Sequence, residues 1–425
     1  MSSPHITVLI PTRERADVLH YALKTVLAQD YDNLSIIVSD NCSKDDTRDV
    51  VHELADERVR YINPGKRLSM SHHWEFALSH VEEGWVTIVG DDDGLLPDSI
   101  RHVAAIIDRT QAKAIRSQLC TYSWPSHLDS AFGKLHIENV FPHEELRDAR
   151  TWRERALRGD ADFRELPVLY TGGYVHTSVI EEIKKRSGGI FYRSSVPDVY
   201  SGMAISSVID NYLFTTYPLG MGGTSRHSTG RAFVEAKRTR ENPVISAKAK
   251  FLSENNIPIH EAIPLEADGS PPINLQGLLF ESYFQSAPLH DDDINKWTPE
   301  RILESLLYRG LVVPKEYRRT KDWIDRFARI HDLDRRIPAR RALIRYVQNG
   351  LRPSTLADWT RSVSGSFSFK GNAQKPLATV EEASQFALRI LQEKPHTRNY
   401  ARAIKLLPKR FYKSVRNVLS FLHSG

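Results

Sequence analysis

Three consecutive carboxylates, Asp91–Asp93, follow a short apolar run that ends at Val89. The apolar run predicts a buried strand, and Gly94 and Pro97 predict that the chain turns after the acids. Adjacent carboxylates repel one another, so they are costly to bury unless a positive charge neutralises them. At the carboxyl end of a strand in an α/β sheet, a divalent cation shared with a substrate phosphate can supply that charge. Taken alone, however, three acids are more often an exposed turn than a binding site.

Length and composition narrow the class of protein. A chain of 425 residues exceeds the usual size of a single hydrophobic core, so we expect two domains. With 40% apolar and 26% charged residues, the chain is typical of globular proteins. Its two cysteines form neither a disulfide framework nor a metal-binding spacing, and no signal peptide or run of 18 apolar residues is found. We therefore expect a cytoplasmic protein.

Charge divides the sequence into two unequal parts. Residues 301–425 contain 26 Lys or Arg against 10 Asp or Glu, whereas residues 1–300 contain 32 against 43. The basic part suggests an anionic partner, and residues 409–423 have the pattern of a basic amphipathic helix. Nucleic acid is disfavoured because the interleaved aromatic residues of an RNA-binding module are missing. Three roles of the basic part stay open: peripheral contact with the inner face of a membrane, packing on the catalytic domain, and packing on a second subunit of a homo-oligomer.

Strands and helices alternate in the first hundred residues. Apolar runs predict strands at residues 5–10, 34–38, 59–62 and 85–89, and helical stripes separate several of them. Such alternation predicts an α/β protein with a parallel sheet, in which ligands bind at the carboxyl ends of the strands. Because the first, second and fourth strands end at residues 11–13, Asp40 and Asp91–Asp93, we expect their loops to converge on one crevice.

The pattern is less regular after residue 110. We predict strands at residues 112–119, 135–140, 168–171 and 212–217, and helices at residues 144–158, 177–186 and 199–209. Residues 220–230 are predicted to form a polar loop, and residues 264–272 and 362–376 to be linkers. Because the chain becomes helical and basic after about residue 235, we predict an α/β domain over residues 1–235 and a mainly helical domain over residues 236–425.

Three polar motifs, Ile10–Arg15, Val38–Thr47 and Val89–Asp98, stand at the ends of the predicted strands. In order and spacing they resemble the family 2 glycosyltransferases of GT-A fold, and the resemblance covers residues 5–230. It implies a Rossmann-like, mostly parallel sheet flanked by helices. It also implies inverting transfer of a sugar from a nucleotide-diphosphate sugar to a cell-surface glycan or lipid-linked acceptor. The implied cofactor is a divalent metal, Mn²⁺ or Mg²⁺, held at a DXD-like site.

The resemblance implies roles for residues of the first loops. Pro11, Thr12 and Arg13 would lie beside the nucleotide base, with Arg13 standing where the family commonly has an aromatic residue. Asp40 would read the base, which favours a UDP-sugar as the donor, and Arg67 would lie near the donor phosphates. From the residues alone, Asp40 can instead cap the following turn, and Arg67 can face solvent.

Within the acidic trio, the resemblance implies that one acid holds the ribose and another the metal. Counting back from Pro97 assigns Asp91 to the ribose and Asp92 to the metal, whereas a strict D-x-D pattern selects Asp91 and Asp93. Both assignments stay open. His227 matches a late histidine that can complete the metal shell, so the expected metal ligands are Asp92, Asp93 and His227. An imidazole slightly favours Mn²⁺, but His227 can equally be a surface histidine.

Asp198 matches the catalytic base of the family. It follows Pro197 at the start of a predicted helix, where an aspartate can also serve only as a helix cap. Inverting transfer needs a carboxylate that takes the proton of the acceptor hydroxyl while the oxygen attacks the anomeric carbon.

Two other functions share parts of this pattern. A sugar-nucleotide nucleotidyltransferase has a similar sheet but needs a glycine-rich phosphate loop after the first strand, and residues 11–15 contain no glycine. A non-catalytic nucleotide- or glycan-binding protein would tolerate loss of the acidic trio or of Asp198, and all four acids are present.

Overall fold

The computed structural model describes residues 3–54, 56–125, 131–228, 254, 256–291, 294–350, 364–393 and 405–406. These residues form two sheets and a set of helices. The strands are β1 (Ile6–Thr12), β2 (Leu34–Asp40), β3 (Val59–Ile62), β4 (Trp85–Ile88), β5 (Ala114–Ser117), β6 (Cys120–Ser123), β7 (Lys134–Ile137), β8 (Glu144–Asp148), β9 (Gly173–His176), β10 (Asn211–Thr215), β11 (Met221–Thr224) and β12 (Phe367–Lys370). The α-helices are α1 (Ala16–Leu27), α2 (Thr47–Glu53), α3 (Met70–Leu78), α4 (Ser99–Arg109), α5 (Ala149–Leu157), α6 (Thr177–Arg186), α7 (Pro197–Val208), α8 (Leu275–Gln285), α9 (Pro299–Val312), α10 (Pro314–Ile330), α11 (Arg336–Gly350) and α12 (Val380–Glu393).

The larger sheet has the strand order β3-β2-β1-β4-β9-β5-β10-β8. Strands β1 to β4 are parallel to their neighbours within that group, whereas β9 runs antiparallel to both β4 and β5. The chain winds from β1 towards β3 on one side and continues from β4 on the other. The sheet therefore changes its winding direction between β1 and β4, which is where such sheets commonly bind ligands.

Alternate residues of the central strands enter different apolar clusters. On β1, Leu9 packs with one cluster, while Val8 and Ile10 pack with another. Successive side chains of a strand point to opposite faces, so both faces of the sheet are covered. This confirms the predicted α/β class with a mostly parallel sheet flanked by helices.

The mainly helical region that follows the sheet is also confirmed. Residues of α8 to α11 belong to the same apolar cluster as Leu9 and Ile88 of the central strands. The buried side chain of Gln276 on α8 donates hydrogen bonds of 2.9 Å to the carbonyl oxygens of Ala156 and Leu157 at the end of α5. These helices therefore pack directly on the sheet domain. The predicted boundary at residue 235 lies outside the described residues.

A smaller sheet brings the C-terminal part of the chain back to the N-terminal part. Its order is β11-β6-β7-β12, and β12 pairs antiparallel with β7. The hydroxyl of Tyr122 on β6 donates to the carbonyl oxygen of Leu377 over 2.7 Å, and α12 packs on the same sheet and on α1. The expectation that residues 362–376 are a linker was therefore wrong for β12.

Three local predictions differ from the structure. Residues 168–171 form a loop, and the strand begins only at Gly173, where a Cβ atom would lie 1.8 Å from the carbonyl oxygen of Val168. Residues 144–158 begin with β8 before α5, because an edge strand can carry mostly polar side chains. Residues 220–230 include β11, which was predicted as a loop because glycines are uncommon inside strands.

No helix in the described ranges is long and apolar enough to cross a membrane. The basic amphipathic helix predicted at residues 409–423 lies outside those ranges.

We expect Ile390→Ala to lower the free energy of unfolding by about 2–5 kcal/mol, as for other buried Ile→Ala changes. Ile390 on α12 is buried in the apolar cluster of the smaller sheet. Urea unfolding of the full chain measures the effect, with the exposed Gln385→Ala on the same helix as the control. Equal stability of the two variants would show that α12 is not part of this core.

Candidate active site

The loops after β1 and β4 meet where the sheet changes its winding direction. Arg15, after β1, donates a hydrogen bond of 2.7 Å from Nη1 to Oδ1 of Asp91, after β4. The loop after β2 joins them, since the amide of Asn41 donates to the carbonyl oxygen of Thr12 over 3.0 Å. The expected convergence of these three loops is therefore confirmed.

The end of β1 supplies the residues predicted to lie beside a nucleotide base. Pro11 and Thr12 are buried as the last residues of the strand. The guanidinium of Arg13 is partly exposed and forms an ion pair with Glu254. An arginine can pair with or stack on a base, but Arg13 would have to exchange this carboxylate for it. The role of all three in base binding stays a prediction.

Asp40 is buried at the end of β2, and both of its oxygens have protein partners. Oδ1 accepts from the amide of Ser43 over 3.0 Å, as expected for a turn cap. Oδ2 accepts from the Tyr61 hydroxyl over 2.6 Å and from the Asn63 amide group over 3.3 Å. Burial and the bond to Asp40 raise the pKa of Tyr61 to about 12, so the phenol remains a donor. A nucleotide base could bind Asp40 only alongside the groups that already donate to it. Recognition of the base by Asp40 stays a prediction.

Arg67 lies in the loop after β3 and faces the loop after β1. Its Nη2 donates to Glu14 over 2.7 Å and to the carbonyl oxygen of Cys42 over 3.2 Å. The structure thus places a partly exposed guanidinium at the same edge of the sheet as Arg15. Binding of donor phosphates by Arg67 stays a prediction.

The three carboxylates of the trio are all buried, at 4%, 5% and 2% exposure for Asp91, Asp92 and Asp93. An exposed acidic turn is therefore excluded. Burial raises the pKa of Asp91, and the guanidinium of Arg15 opposes this increase. Burial disfavours the charge of Arg15 in turn, but Asp91 and Asp92 raise its pKa above the usual value. Arg15 is thus the fixed cation that partly neutralises the trio.

Asp92 and Asp93 are held by donors from later parts of the chain. Oδ2 of Asp92 accepts from the hydroxyls of Ser225 and Ser228 and from the amide of Ser225. Asp93 accepts from the Thr171 hydroxyl over 2.5 Å and from the Gly223 amide over 2.6 Å. Burial and the neighbouring charge of Asp92 raise the pKa of Asp93.

The segment Ser225–Ser228 crosses the acidic trio and is fixed at both sides. The carbonyl oxygen of His227 accepts from Nη2 of Arg15 over 2.6 Å. The His227 imidazole lies 3.1 Å from Oδ2 of Asp17 on α1, to which Arg226 also donates. These bonds lower the pKa of Asp17, chiefly through the one to His227. The backbone of His227 therefore lies beside the trio, while its imidazole is turned towards α1.

The donor set of Asp92 suits a hard divalent cation. Its Oδ1 accepts no hydrogen bond from any described residue, while Oδ2 is bonded to the two serines. In the described ranges no three His, Cys, Asp or Glu side chains are grouped to hold a metal ion. A hard cation at Asp92 would therefore need further oxygen ligands, which the oxygens of a diphosphate can supply. The metal and its expected ligands Asp92, Asp93 and His227 stay predictions.

Asp198 lies in the first turn of α7 and is half-buried. Burial raises the pKa of its carboxyl group, while the amides of Val199 and of Asp198 itself oppose the increase. One turn on, the Ser201 hydroxyl accepts from the amide of Leu169 over 2.9 Å. This bond ties α7 to the loop whose Thr171 holds Asp93. A carboxylate with a raised pKa is suited to take a proton near neutral pH, and catalysis by Asp198 stays a prediction.

Several residues of this site were not assigned from the sequence. Arg15 was part of the first motif, and its position at the end of a strand was the available signal. Thr171 and Gly223 come from segments that gave no sign of meeting Asp93. The resemblance implied that His227 lies near the trio, but it gave no role to Ser225 and Ser228, whose side chains bond Asp92.

Gly223 is expected to tolerate no side chain, because a Cβ atom there would lie 1.7 Å from the carbonyl oxygen of Asp92. We expect Gly223→Ala to push β11 away from the acidic loop, at a cost of about 1–3 kcal/mol, and to weaken nucleotide binding. Gly222→Ala is the matched control, since its Cβ atom would be 3.5 Å from Leu119. Thermal unfolding and nucleotide titration compare the two; equal behaviour would contradict the close approach.

Residues 7–153, which contain β1 to β4 and the acidic trio, match the family model "Glycosyl transferase family 2". Residues 7–153 therefore form a family 2 glycosyltransferase domain. The match confirms the resemblance inferred from the three motifs. The residues that complete the family 2 domain's acidic site, Thr171 and Gly223–Ser228, lie beyond the matched range.

Two curated relatives and one solved structure are similar to parts of this chain. A GalNAc(5)-diNAcBac-PP-undecaprenol beta-1,3-glucosyltransferase of Campylobacter jejuni is 35% identical over 100 residues, 23% of this chain and 32% of the relative. The succinoglycan biosynthesis protein ExoO of Rhizobium meliloti is 26% identical over 179 residues, 42% of this chain and 43% of the relative. The chain therefore matches less than half the length of either. A structure of residues 1–349 of S. aureus TarS aligns at a TM-score of 0.43 and 14% identity, over 77% of this chain and 90% of that fragment.

Proposed function

We propose that the protein is an inverting glycosyltransferase that moves a sugar from a nucleotide-diphosphate sugar, preferably a UDP-sugar, to a glycan or lipid-linked acceptor. The observation that carries the proposal is the burial of three carboxylates at the carboxyl end of β4, inside a family 2 domain. Buried, clustered charge is costly unless a ligand or cation uses it.

The donor would bind in the crevice between the loops after β1, β2 and β4. Asp40 would accept from the base, Pro11 to Arg13 would lie along it, and Asp91 would accept from the ribose. Arg15 and Arg67 offer guanidinium groups suited to the diphosphate. A divalent cation held by Asp92 would stabilise the charge that develops on the departing nucleoside diphosphate.

Asp198 would act as the general base for the acceptor. Its carboxylate would take the proton of the acceptor hydroxyl while that oxygen bonds to the anomeric carbon and the bond to the diphosphate breaks. Attack opposite to the leaving group inverts the anomeric configuration. The contacts of Leu169 and Thr171, which join α7 to the acidic loop, support a common orientation of base and donor.

The acceptor class is inferred from the relatives. One is named for an undecaprenol-linked acceptor and another for succinoglycan biosynthesis. We therefore place the protein in surface-polysaccharide or lipid-linked glycan assembly, acting at the inner face of the membrane. A peripheral membrane contact would bring the acceptor and the active site together.

A thermal-shift screen tests the donor site. UDP, GDP, CDP and TDP are each added with and without Mn²⁺ to the full chain. We expect UDP to raise the melting temperature only when Mn²⁺ is present, because a ligand that binds the folded state stabilises it. No shift with any nucleotide would contradict the proposed site, and a shift independent of metal would contradict the role of the cation.

A further inference from the structure

Helix α11 presents an exposed face on which aliphatic and basic side chains alternate. Ile337, Ile344 and Val347 are 53%, 47% and 47% exposed. Their spacing of seven and three residues places them on one side of the helix. Isolated exposed aliphatic residues are common, but three on one helical face indicate a surface that contacts something apolar.

The opposite face of α11 is fully used in packing. Pro338 and Ala342 are buried, and the Arg345 guanidinium lies 3.8 Å over the ring of Tyr308 on α9. The Asn349 side chain also donates to the Tyr308 hydroxyl over 2.9 Å. The helix is therefore fixed on the protein by one face, and the aliphatic face is displayed by a rigid element.

The charge of this region selects the kind of partner. Helix α11 contains four arginines and no acidic residue, and the whole stretch from Pro314 to Gly350 contains 11 Lys or Arg against 5 Asp or Glu. Arg340 lies between Ile337 and Ile344, is exposed, and has no acidic partner among the described residues. Beside it, Arg341 shares an exposed ion pair with Glu300.

We propose that this face of α11 docks on the surface of a bilayer that contains anionic phospholipid. Arginines can meet the headgroup phosphates while the aliphatic side chains reach the boundary of the acyl chains. A second copy of the chain fits less well, because a twofold contact would bring the same arginines of both copies together. Nucleic acid offers the phosphates but no apolar surface for the isoleucines.

The test uses the full chain and vesicle flotation without donor or acceptor, so its outcome is independent of the proposed reaction. Phosphatidylcholine vesicles with about 30 mol% phosphatidylglycerol are compared with pure phosphatidylcholine. We expect binding to the anionic vesicles only. The double variant Ile337→Ser/Ile344→Ser should reduce the partition coefficient about tenfold or more, since it removes the inserted side chains.

The matched control is Leu146→Ser/Ile190→Ser, which removes two exposed aliphatic residues elsewhere (61% and 49% exposed) and should bind as the unaltered chain does. Arg340→Gln/Arg341→Gln should weaken binding and flatten its dependence on salt. Absence of binding by the unaltered chain, or full binding by the α11 variant, would overturn the proposal. The proposal would also be overturned if the chain self-associates in sedimentation and the α11 variant abolishes this association while vesicle binding persists. Displacement of the chain from vesicles by competing duplex DNA would overturn it as well.

Discussion

Replacing Asp198 with Asn is expected to lower kcat by about 10²–10⁴-fold, the usual contribution of a general base, while donor binding is unchanged. In the structure Val196, and not Asp198, is the N-cap residue of α7, which has no side-chain cap. Because Asn keeps the size of the side chain, a merely structural role of Asp198 in the first turn would leave kcat intact. Single-turnover transfer measures the loss, and calorimetry with the donor nucleotide measures binding. Loss of donor binding would instead make Asp198 a nucleotide-site or structural residue.

Asp148→Asn is the matched control, because Asp148 is also an aspartate at a helix start and caps α5 through the Thr151 amide at 2.7 Å. It should leave transfer unaffected. The pH profile adds a second readout. Burial raises the pKa of Asp198, and only the ionised carboxylate can accept a proton. In the unaltered enzyme kcat should therefore fall as the pH is lowered through this raised pKa, and the residual rate of Asp198→Asn should lack that acid limb.

Asp92→Ala is expected to abolish metal-dependent donor binding and to reduce transfer by at least about 10³-fold, since it removes the carboxylate proposed to hold the cation. The variant also releases the hydroxyls of Ser225 and Ser228. Loosening of the segment Ser225–Ser228 could then account for part of the loss. Titration of nucleotide with and without Mn²⁺ separates an effect on the cation from a general loss of binding.

The variants Asp92→Asn and Ser225→Ala separate the loss of the cation from the loosening of the segment Ser225–Ser228. The amide oxygen of Asn can still accept from both serines, but it lacks the charge that binds a divalent cation. We expect Asp92→Asn to resemble Asp92→Ala, and Ser225→Ala to retain most of the metal-dependent affinity. Normal metal-dependent affinity in Asp92→Asn would exclude Asp92 as the metal ligand. A loss confined to Ser225→Ala would show that the serine bonds matter more.

The first half of the sheet could be predicted because β1, β2 and β4 are mostly apolar, and each is followed by a polar motif. Parallel strands align their carboxyl ends, so the sequence alone places Arg13, Asp40 and Asp91 at one edge of the sheet. The bond between Arg15 and Asp91 agrees with that reasoning. The family 2 match covers the same strands.

The side chains that hold Asp92 and Asp93 could not be predicted, because they come from segments without periodic patterning; the resemblance pointed to this region only through His227. β11 contains two glycines and lies against the acidic loop at backbone distance. Ser225 and Ser228 meet Asp92 across more than a hundred residues of sequence. Such contacts depend on tertiary packing, and hydrophobic periodicity carries no information about them. The same holds for β12, whose alternating pattern is only four residues long.

The pairing of β12 with β7 also bears on how the protein is made. β7 lies near residue 135 and its partner near residue 368, so β7 leaves the ribosome long before its neighbour exists. At roughly 5–20 residues per second, the interval is on the order of 10–50 s. During synthesis one edge of the smaller sheet stays open to other chains, and such edges promote aggregation. Until the C-terminal region has been synthesised, β7 therefore lacks the strand that covers its edge in the folded protein.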